Sequence, residues 1–248
     1  MTRNVKTTIG IAIIFAAVAV IYMFYFAPPA PLPDEAQLLE KMDETFPAGH
    51  ATEILDTLQL DSGYVFVPFI SSGDDYGASY WEWKLHDWKP VRIDTTGEPQ
   101  IWTPEPGDDS SSYAVWNFHP KDKISKASFY LLRDNSYSIS PRSEIYIPKV
   151  QLETAADVSA KSYGIMEMPE SWNSLLDPSK DIQEARYPNT YLNFGFSEQT
   201  MRTGAILYDS EGNQAFPDHS VNGKGYSNGN IMLEYMHFLN EEELLSNE

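Results

Sequence analysis

The fold is decided by residues 64–94, which read YVFVPFISSGDDYGASYWEWKLHDWKPVRID. YVFVPFIS is rich in β-branched and aromatic residues, which predicts a strand, and Pro68 indicates that this strand lies near a sheet edge. The segment SGDD, residues 72–75, is typical of a turn, and SYWEWKL and KPVRID predict two further strands. The stretch therefore indicates antiparallel β structure.

Similar strand patterns continue along the rest of the chain. The segments that predict strands are SYAVWNF, ASFYLLRD, EIYIPKVQLE, SYGIMEM, YLNFGF, GAILYD and NIMLEYMHF. Short strands with turn signals between them favour a mainly β fold, an antiparallel β-sandwich. The order Ser-Tyr, Trp, Asn-Phe and Asp occurs twice, so two tandem immunoglobulin-like sandwiches are an alternative. We expect a β domain at residues 61–155, and at 156–248 either a second β domain or a continuation of the first.

The N-terminal region contains the uncharged run IGIAIIFAAVAVIYMFYFA, residues 9–27. As a helix, this run would cross most of a hydrocarbon core of about 30 Å, and it is longer than a usual signal-peptide core. Arg3 and Lys6 precede it and Asp34 follows it, which places residues 1–8 in the cytoplasm. The sequence thus predicts an uncleaved transmembrane signal-anchor in the cell membrane, with the rest of the chain outside. A cleaved signal peptide is the alternative.

Residues 28–60 predict a proline spacer followed by short helices. PPAPLP, residues 28–33, favours a stiff extended segment that holds the domain off the membrane. Asp34 and Gln37 have the spacing of a capping box, which starts a helix. The apolar stripe of this helix consists of Leu38, Met42 and Phe46. A second short helix is predicted over residues 52–60, and together the helices form a stalk.

The composition excludes several classes of function. The formal net charge is −19, and a domain this acidic repels nucleic acids. The chain has no cysteine, which excludes disulfides, thiolate metal sites and cysteine nucleophiles. The absence of cysteine and of an Asn-x-Ser/Thr sequon favours an exported bacterial protein.

The aromatic segment SYWEWKLHDWKP, residues 79–90, contains the candidate ligand-binding residues. In a strand, Trp81 and Trp83 lie on one apolar face and belong to a core. The other face is polar and presents Tyr80, Glu82, Lys84 and His86. Trp88 is in phase with that polar face unless a turn or bulge near His86 changes the register.

We therefore predict that Tyr80 and Trp88 form an exposed aromatic platform. Glu82, Lys84 and His86 would supply polar groups beside it, an arrangement suited to sugar rings, which carry hydroxyls around an apolar face. The alternative is that Trp88 covers the edge of the core.

Two loops are candidates for chemistry. DSEGN places Asp209, Glu211 and Asn213 at alternate positions, where their oxygens could bind Ca²⁺, although the spacing departs from an EF-hand. An ordinary hairpin turn is the alternative. The glycine-rich GKGYSNGN, residues 223–230, lacks the spacing of a phosphate-binding loop and indicates a plain loop.

The sequence favours a membrane-anchored extracytoplasmic module of the cell envelope that binds a protein partner or a wall polymer and is not an enzyme. A cation-binding structural or sensing domain is one alternative. An anchored glycan hydrolase that uses a carboxylate pair is another, because the 36 acidic residues neither nominate nor exclude such a pair.

Overall fold

The computed structural model describes residues 10–18, 22, 28–104, 111–140, 143–172, 201–229 and 231–245. The fold of these residues is mainly β, with several antiparallel sheets and few helices, as the sequence predicts. The predicted strand YLNFGF, residues 191–196, lies outside the described residues.

Helix α1 spans Glu35–Thr45 and helix α2 spans Glu241–Leu245, and 3₁₀ turns lie at Pro47–Gly49 and Pro120–Asp122. The strands are β1 (Ala51–Ile54), β2 (Leu58–Asp61), β3 (Tyr64–Ser71), β4 (Tyr76–Lys84), β5 (Asp87–Asp94), β6 (Gln100–Thr103), β7 (Tyr113–Asn117), β8 (Lys126–Arg133), β9 (Ser136–Ser140), β10 (Ser143–Ile147), β11 (Val150–Asp157), β12 (Tyr163–Glu167), β13 (Arg202–Tyr208), β14 (Gln214–Ala215), β15 (Gly225–Ser227), β16 (Met232–Tyr235) and β17 (His237–Phe238).

Three sheets stack on one another. The first sheet has the order β1-β3-β4-β5-β15, with β2 also paired to β3. The central sheet has the order β12-β7-β6-β16. The last sheet has the order β11-β8-β13-β14, with β17 parallel to β13. Strands β9 and β10 form a hairpin between β8 and β11.

Separate apolar clusters fill the spaces between these layers. Leu38 and Met42 of α1 pack on one face of the first sheet, against Trp81 and Trp88. The other face of that sheet packs on the central sheet through Phe66, Ala78, Tyr80, Val91, Trp102 and Val115. The opposite face of the central sheet packs on the last sheet through residues that include Ala114, Trp116, Phe129, Leu131 and Ala205. The layers are therefore helix, sheet, sheet and sheet.

The strands of residues 156–248 join the sheets that residues 61–155 begin. Strand β12 pairs with β7, β13 with β8, β15 with β5 and β16 with β6. Among the described residues, the ranges 61–155 and 156–248 therefore share sheets.

The predictions for residues 34–60 are confirmed in one part and wrong in another. Asp34 and Gln37 form both bonds of a capping box, and Leu38 and Met42 are buried beneath α1. The predicted second helix at residues 52–60 is wrong, because this segment forms β1 and β2. Both strands pair with β3, so ladder hydrogen bonds outweigh the helical spacing of the apolar residues.

Pro68 lies at the gap between these two short strands. Ile54 of β1 is opposite Phe69, and Leu58 of β2 is opposite Phe66. The Pro68 carbonyl accepts a hydrogen bond from the Leu55 N–H at 2.9 Å. Proline has no N–H to donate to a partner strand, and a gap between strands tolerates this.

The predicted signal-anchor falls largely outside the described residues. Residues 10–18 are helical. Within the described part of the chain, no helix is both long enough and apolar enough to cross a membrane. The anchor at residues 9–27 stays a prediction.

The β4–β5 turn uses residues that are poorly suited to its conformation. Lys84 pairs with Asp87, which leaves a two-residue loop, and Leu85 and His86 both have positive φ, 54° and 61°. Two-residue hairpin turns of this kind favour Asn-Gly, since L-residues with a Cβ are strained at positive φ.

We expect the double variant Leu85→Asn, His86→Gly to raise the free energy of unfolding by about 1 kcal/mol, because it relieves strain in the turn. Urea denaturation of the variant and the wild type measures this change. Leu85→Ala removes the exposed side chain but keeps a Cβ at positive φ, so it should leave stability nearly unchanged. Equal stabilisation by Leu85→Ala would contradict the strain argument.

Candidate functional site

The predicted platform of Tyr80 and Trp88 is not exposed, and this prediction is wrong. Tyr80 is 1% exposed and Trp88 is 4% exposed. Tyr80 packs between the first and central sheets, whereas Trp88 packs beneath α1 on the opposite face. The physical reason is the two-residue turn, which places Trp88 directly across from Trp83 and on the same face. Trp81 and Trp83 belong to the cluster on that face, as predicted.

Trp88 also binds the proline segment that precedes α1. Its indole N–H donates to the Ala30 carbonyl at 2.9 Å, and Leu32 packs against the same apolar cluster. Lys41 of α1 donates to the Trp88 carbonyl at 2.8 Å and pairs with Asp87. The proline segment therefore docks on the domain through residues 30 and 32.

The other two predicted ligand-binding residues lie apart from Tyr80. Glu82 is partly buried and its carboxylate lies 3.6 Å from the Lys84 ammonium. His86 lies in the exposed turn with its ring edge against Trp83, at 6.2 Å between centroids. The structure does not bring Tyr80, Glu82, His86 and Trp88 together at one surface.

The predicted Ca²⁺ ligands form the β13–β14 turn. Asp209 Oδ1 accepts hydrogen bonds from the backbone N–H groups of Glu211 and Asn213, both at 2.9 Å. The Asn213 side chain donates its amide to Asp209. These hydrogen bonds, chiefly with Asn213, lower the pKa of Asp209. Across the described residues, no three His, Asp or Glu side chains are grouped to hold a metal ion.

A cleft of about 440 Å³ lies where the edges of the first and central sheets meet. Strand β5 and the segment after it contribute Arg92, Asp94, Thr96 and Glu98. Residues 222–227, which include β15, form the opposite wall, and Tyr235 of β16 closes one side. Most of these lining residues are polar, so the cleft suits a polar ligand.

An ion pair and an aromatic ring organise the floor of the cleft. Arg92 Nε donates to Asp94 Oδ2 at 2.6 Å, with side-chain exposures of 19% and 4%. Arg92 Nη2 donates to the Tyr235 hydroxyl at 2.5 Å, and the guanidinium lies 5.5 Å from the centre of that ring. Arg92 thereby joins the first sheet to the central sheet, and the Asp94 carboxylate and the Tyr235 ring hold it in place.

Both carboxyl groups of the cleft have raised pKa values. Burial raises the pKa of Asp94, although the hydrogen bond from Arg92 opposes this. Burial also raises the pKa of Glu98, and the nearby Asp94 charge raises it further. Groups with shifted pKa values in a cleft are frequent at functional sites. The carboxylates of Asp94 and Glu98 can accept hydrogen bonds from a ligand. Because their pKa values are raised, either group can also hold a proton beside that ligand.

Glycines at β15 allow the two strands to approach closely. Gly225 is opposite Asp94, and a Cβ at position 225 would lie 2.1 Å from Asp94 Oδ1. A Cβ at Gly223 would lie 2.4 Å from Thr95 Oγ1. At position 225 only glycine fits without displacing the Asp94 carboxylate, and at position 223 only glycine fits without displacing Thr95, so the glycine-rich loop is part of the site.

Sequence reasoning missed this site. Arg92 and Tyr235 are 143 residues apart and meet only through the pairing of β15 with β5 and β16 with β6. The signals present were charged residues at the end of the strand KPVRID and the glycine-rich segment from residue 223. Neither signal predicts that these two segments lie together in the fold.

Comparisons with known proteins give no relative: no family model, curated protein or solved structure matches this chain. The site must therefore be understood from its own geometry.

We expect Arg92→Gln to destabilise the fold by roughly 3 kcal/mol at pH 7, because it leaves the buried Asp94 charge without its partner. Asp94 would then bind a proton at higher pH than in the wild type. The loss should therefore shrink as the pH falls and Asp94 becomes neutral in the folded variant. Urea denaturation at pH 7 and at lower pH tests both parts.

Lys84→Gln is the matched control for this variant, since it removes an exposed cation that pairs with a carboxylate on the same sheet. It should change stability by less than about 0.5 kcal/mol. A loss for Arg92→Gln that is equally small, or independent of pH, would show that the ion pair does not organise the cleft.

Proposed function

We propose that this protein is an extracytoplasmic binding module, anchored in the cell membrane, whose cleft binds hydroxyl-rich glycan strands of the cell envelope. The observation that carries the proposal is the cleft of about 440 Å³ with Arg92, Asp94, Glu98 and Tyr235 at its surface. The module acts by binding and is an accessory component of the envelope.

The lining chemistry supports a sugar ligand over a strongly charged one. Arg92 and Lys224 are cations, and Asp94 and Glu98 are acids, so the charges in the cleft balance. Sugar hydroxyls both donate and accept hydrogen bonds, and carboxylates and guanidinium groups supply the complementary partners. Tyr235 adds a ring for the apolar face of a sugar. The net charge of −19 opposes nucleic-acid binding.

The N-terminal segment supports the location. The uncharged run at residues 9–27 has the length of a membrane anchor, and positive residues precede it. Large apolar side chains of the helical residues 10–18 are exposed, as a lipid-facing segment requires. Residues 1–8 then lie in the cytoplasm and the β domain lies outside, close to wall polymer. An envelope protein is the alternative partner.

The test is retention of soluble wall glycan strands by the full-length protein in detergent micelles. We expect wild type to bind and Glu98→Gln to weaken binding about tenfold, because the variant loses a hydrogen bond to a charged acceptor. Glu53→Gln changes an exposed carboxyl of the same sheet away from the cleft and should bind like wild type. Equal binding by Glu98→Gln and wild type, or no binding by wild type, would refute the proposal.

A glycan hydrolase is a second candidate, and the carboxyl pair favours it. Burial and the Asp94 charge favour the protonated form of Glu98, as a general acid needs, while Arg92 stabilises the Asp94 carboxylate. Glu98 would protonate the glycosidic oxygen, and Asp94 would take a proton from the attacking water.

The same incubation distinguishes the two candidates when new reducing ends are counted. Binding modules release none, and this is the result that we expect. Release of reducing ends that Asp94→Asn and Glu98→Gln both abolish, with glycan binding retained, would establish the hydrolase instead.

A further inference from the structure

Two turns meet at one end of the first sheet. The β2–β3 turn occupies residues 62–63, and the β4–β5 turn occupies residues 85–86. The Gly63 carbonyl accepts the Trp83 N–H at 2.8 Å, so the two turns lie side by side. We call these two turns the turn end of the domain. Strand β5 runs from the turn end to Asp94 in the cleft, and its 8 residues span about 23 Å.

The proline segment reaches the domain close to the turn end. Its Ala30 carbonyl accepts the indole hydrogen of Trp88, which lies near the start of β5 and directly after the β4–β5 turn. The uncharged run ends at residue 27, so a very short stretch of chain separates this run from the contact. Such a stretch extends at most about 10 Å. With the run in a bilayer, the domain therefore has to lie directly against the outer surface of that bilayer.

The groove beside this contact is lined by uncharged residues. It has a volume of about 410 Å³ and separates the proline segment from β2. Its lining consists of residues 29–32, Thr57, Gln59, Ser62, Val65 and Trp88. The chain as a whole carries a formal net charge of −19, so an uncharged surface of this size stands out from the rest. Apolar groups mixed with hydroxyls suit the interfacial layer of a membrane, where lipid headgroups meet acyl chains.

The β4–β5 turn adds an exposed apolar side chain to the turn end. Leu85 is 59% exposed and has positive φ, a conformation that Asn or Gly adopts more easily. Strained residues of this kind cluster at functional sites. Lys84 and Lys89, on either side of the turn, are exposed. Lysines beside an apolar side chain are typical of a surface that contacts lipid, because their ammonium groups reach the headgroups while the apolar group enters the interface.

We infer that the turn end rests on the outer surface of the bilayer that holds residues 9–27, with Leu85 in the interfacial layer, and that the cleft faces away from the membrane. This orientation rests on the membrane anchor of the proposed function, whereas it does not depend on the glycan ligand. It places Asp94 about 23 Å along β5 from the lipid contact, on the side where wall polymer lies.

Fluorescence quenching in nanodiscs tests this orientation with the full-length protein. The chain has no cysteine, so one introduced cysteine carries the fluorescent label. The discs consist of phosphatidylcholine with a fraction of nitroxide-labelled lipid, which quenches only nearby labels. Ser62→Cys reports on the turn end, Lys224→Cys reports on the cleft, and Tyr22→Cys reports insertion of the anchor. We expect quenching at position 62 to exceed quenching at position 224 about threefold, because only the turn end lies at the interface.

Leu85→Ser in the Ser62→Cys protein tests the lipid contact itself. It should reduce the quenching at position 62 to about half, because it removes the apolar side chain from the interface. Phe216→Ser is the matched control, since it removes an exposed aromatic side chain from the segment after β14. It should leave the quenching at position 62 unchanged.

Equal quenching at positions 62 and 224, with the label at position 22 quenched, would overturn the inference and leave the anchor established. Unchanged quenching in Leu85→Ser would overturn the contact between Leu85 and lipid. A label at position 22 that is not quenched would refute the anchor, and the inference with it. Strong quenching at position 62 in a protein that fails to bind wall glycan would refute the proposed ligand alone.

Discussion

The structure depends on a central sheet that has apolar neighbours on both faces. Along β6 and β7, neighbouring residues alternate between two cores: Trp102 and Val115 face the first sheet, while Ala114 and Trp116 face the last. A strand in this position has no solvent face, so its sequence is continuously apolar rather than alternating. Polar groups there need internal partners, and Asn117 accordingly donates to the carbonyls of Phe69 and Gly77 at 3.2 Å and 2.7 Å. These two bonds tie the central sheet to the first.

The cleft follows from the way these layers end. Stacked sheets bury their faces but leave edges, and the late strands β15 and β16 extend the edges of two different sheets side by side. Arg92 spans the seam between them, from Asp94 in one sheet to Tyr235 in the other. A buried carboxylate is tolerated here because the guanidinium offers it a short, directed hydrogen bond. The same contacts stabilise the seam, and Glu98 lies at its border.

The sequence predicts local structure well where a helix or strand packs one face on a single apolar core. The capping box at Asp34 and the burial of Trp81 are examples, since each depends on residues close in the chain. Prediction fails where distant pairing decides the outcome. Residues 52–60 have helical spacing, yet β3 recruits them into a sheet. By strand alternation Trp88 is in phase with the polar face, yet a turn at positive φ returns it to the core. The cleft lies beyond sequence reasoning for the same reason, because its two walls come from opposite ends of the domain.

The docking of the proline segment has a practical meaning for anyone who wishes to prepare the β domain without its hydrophobic N-terminus. The natural place to cut would be just before the helix cap at Asp34. That cut would remove the Ala30 carbonyl that receives the indole hydrogen of Trp88, together with Leu32 from the cluster beneath α1. The shortened protein would carry an unsatisfied polar group and a gap in its first core layer. A start at residue 28 keeps both, so the folded domain begins upstream of the helix.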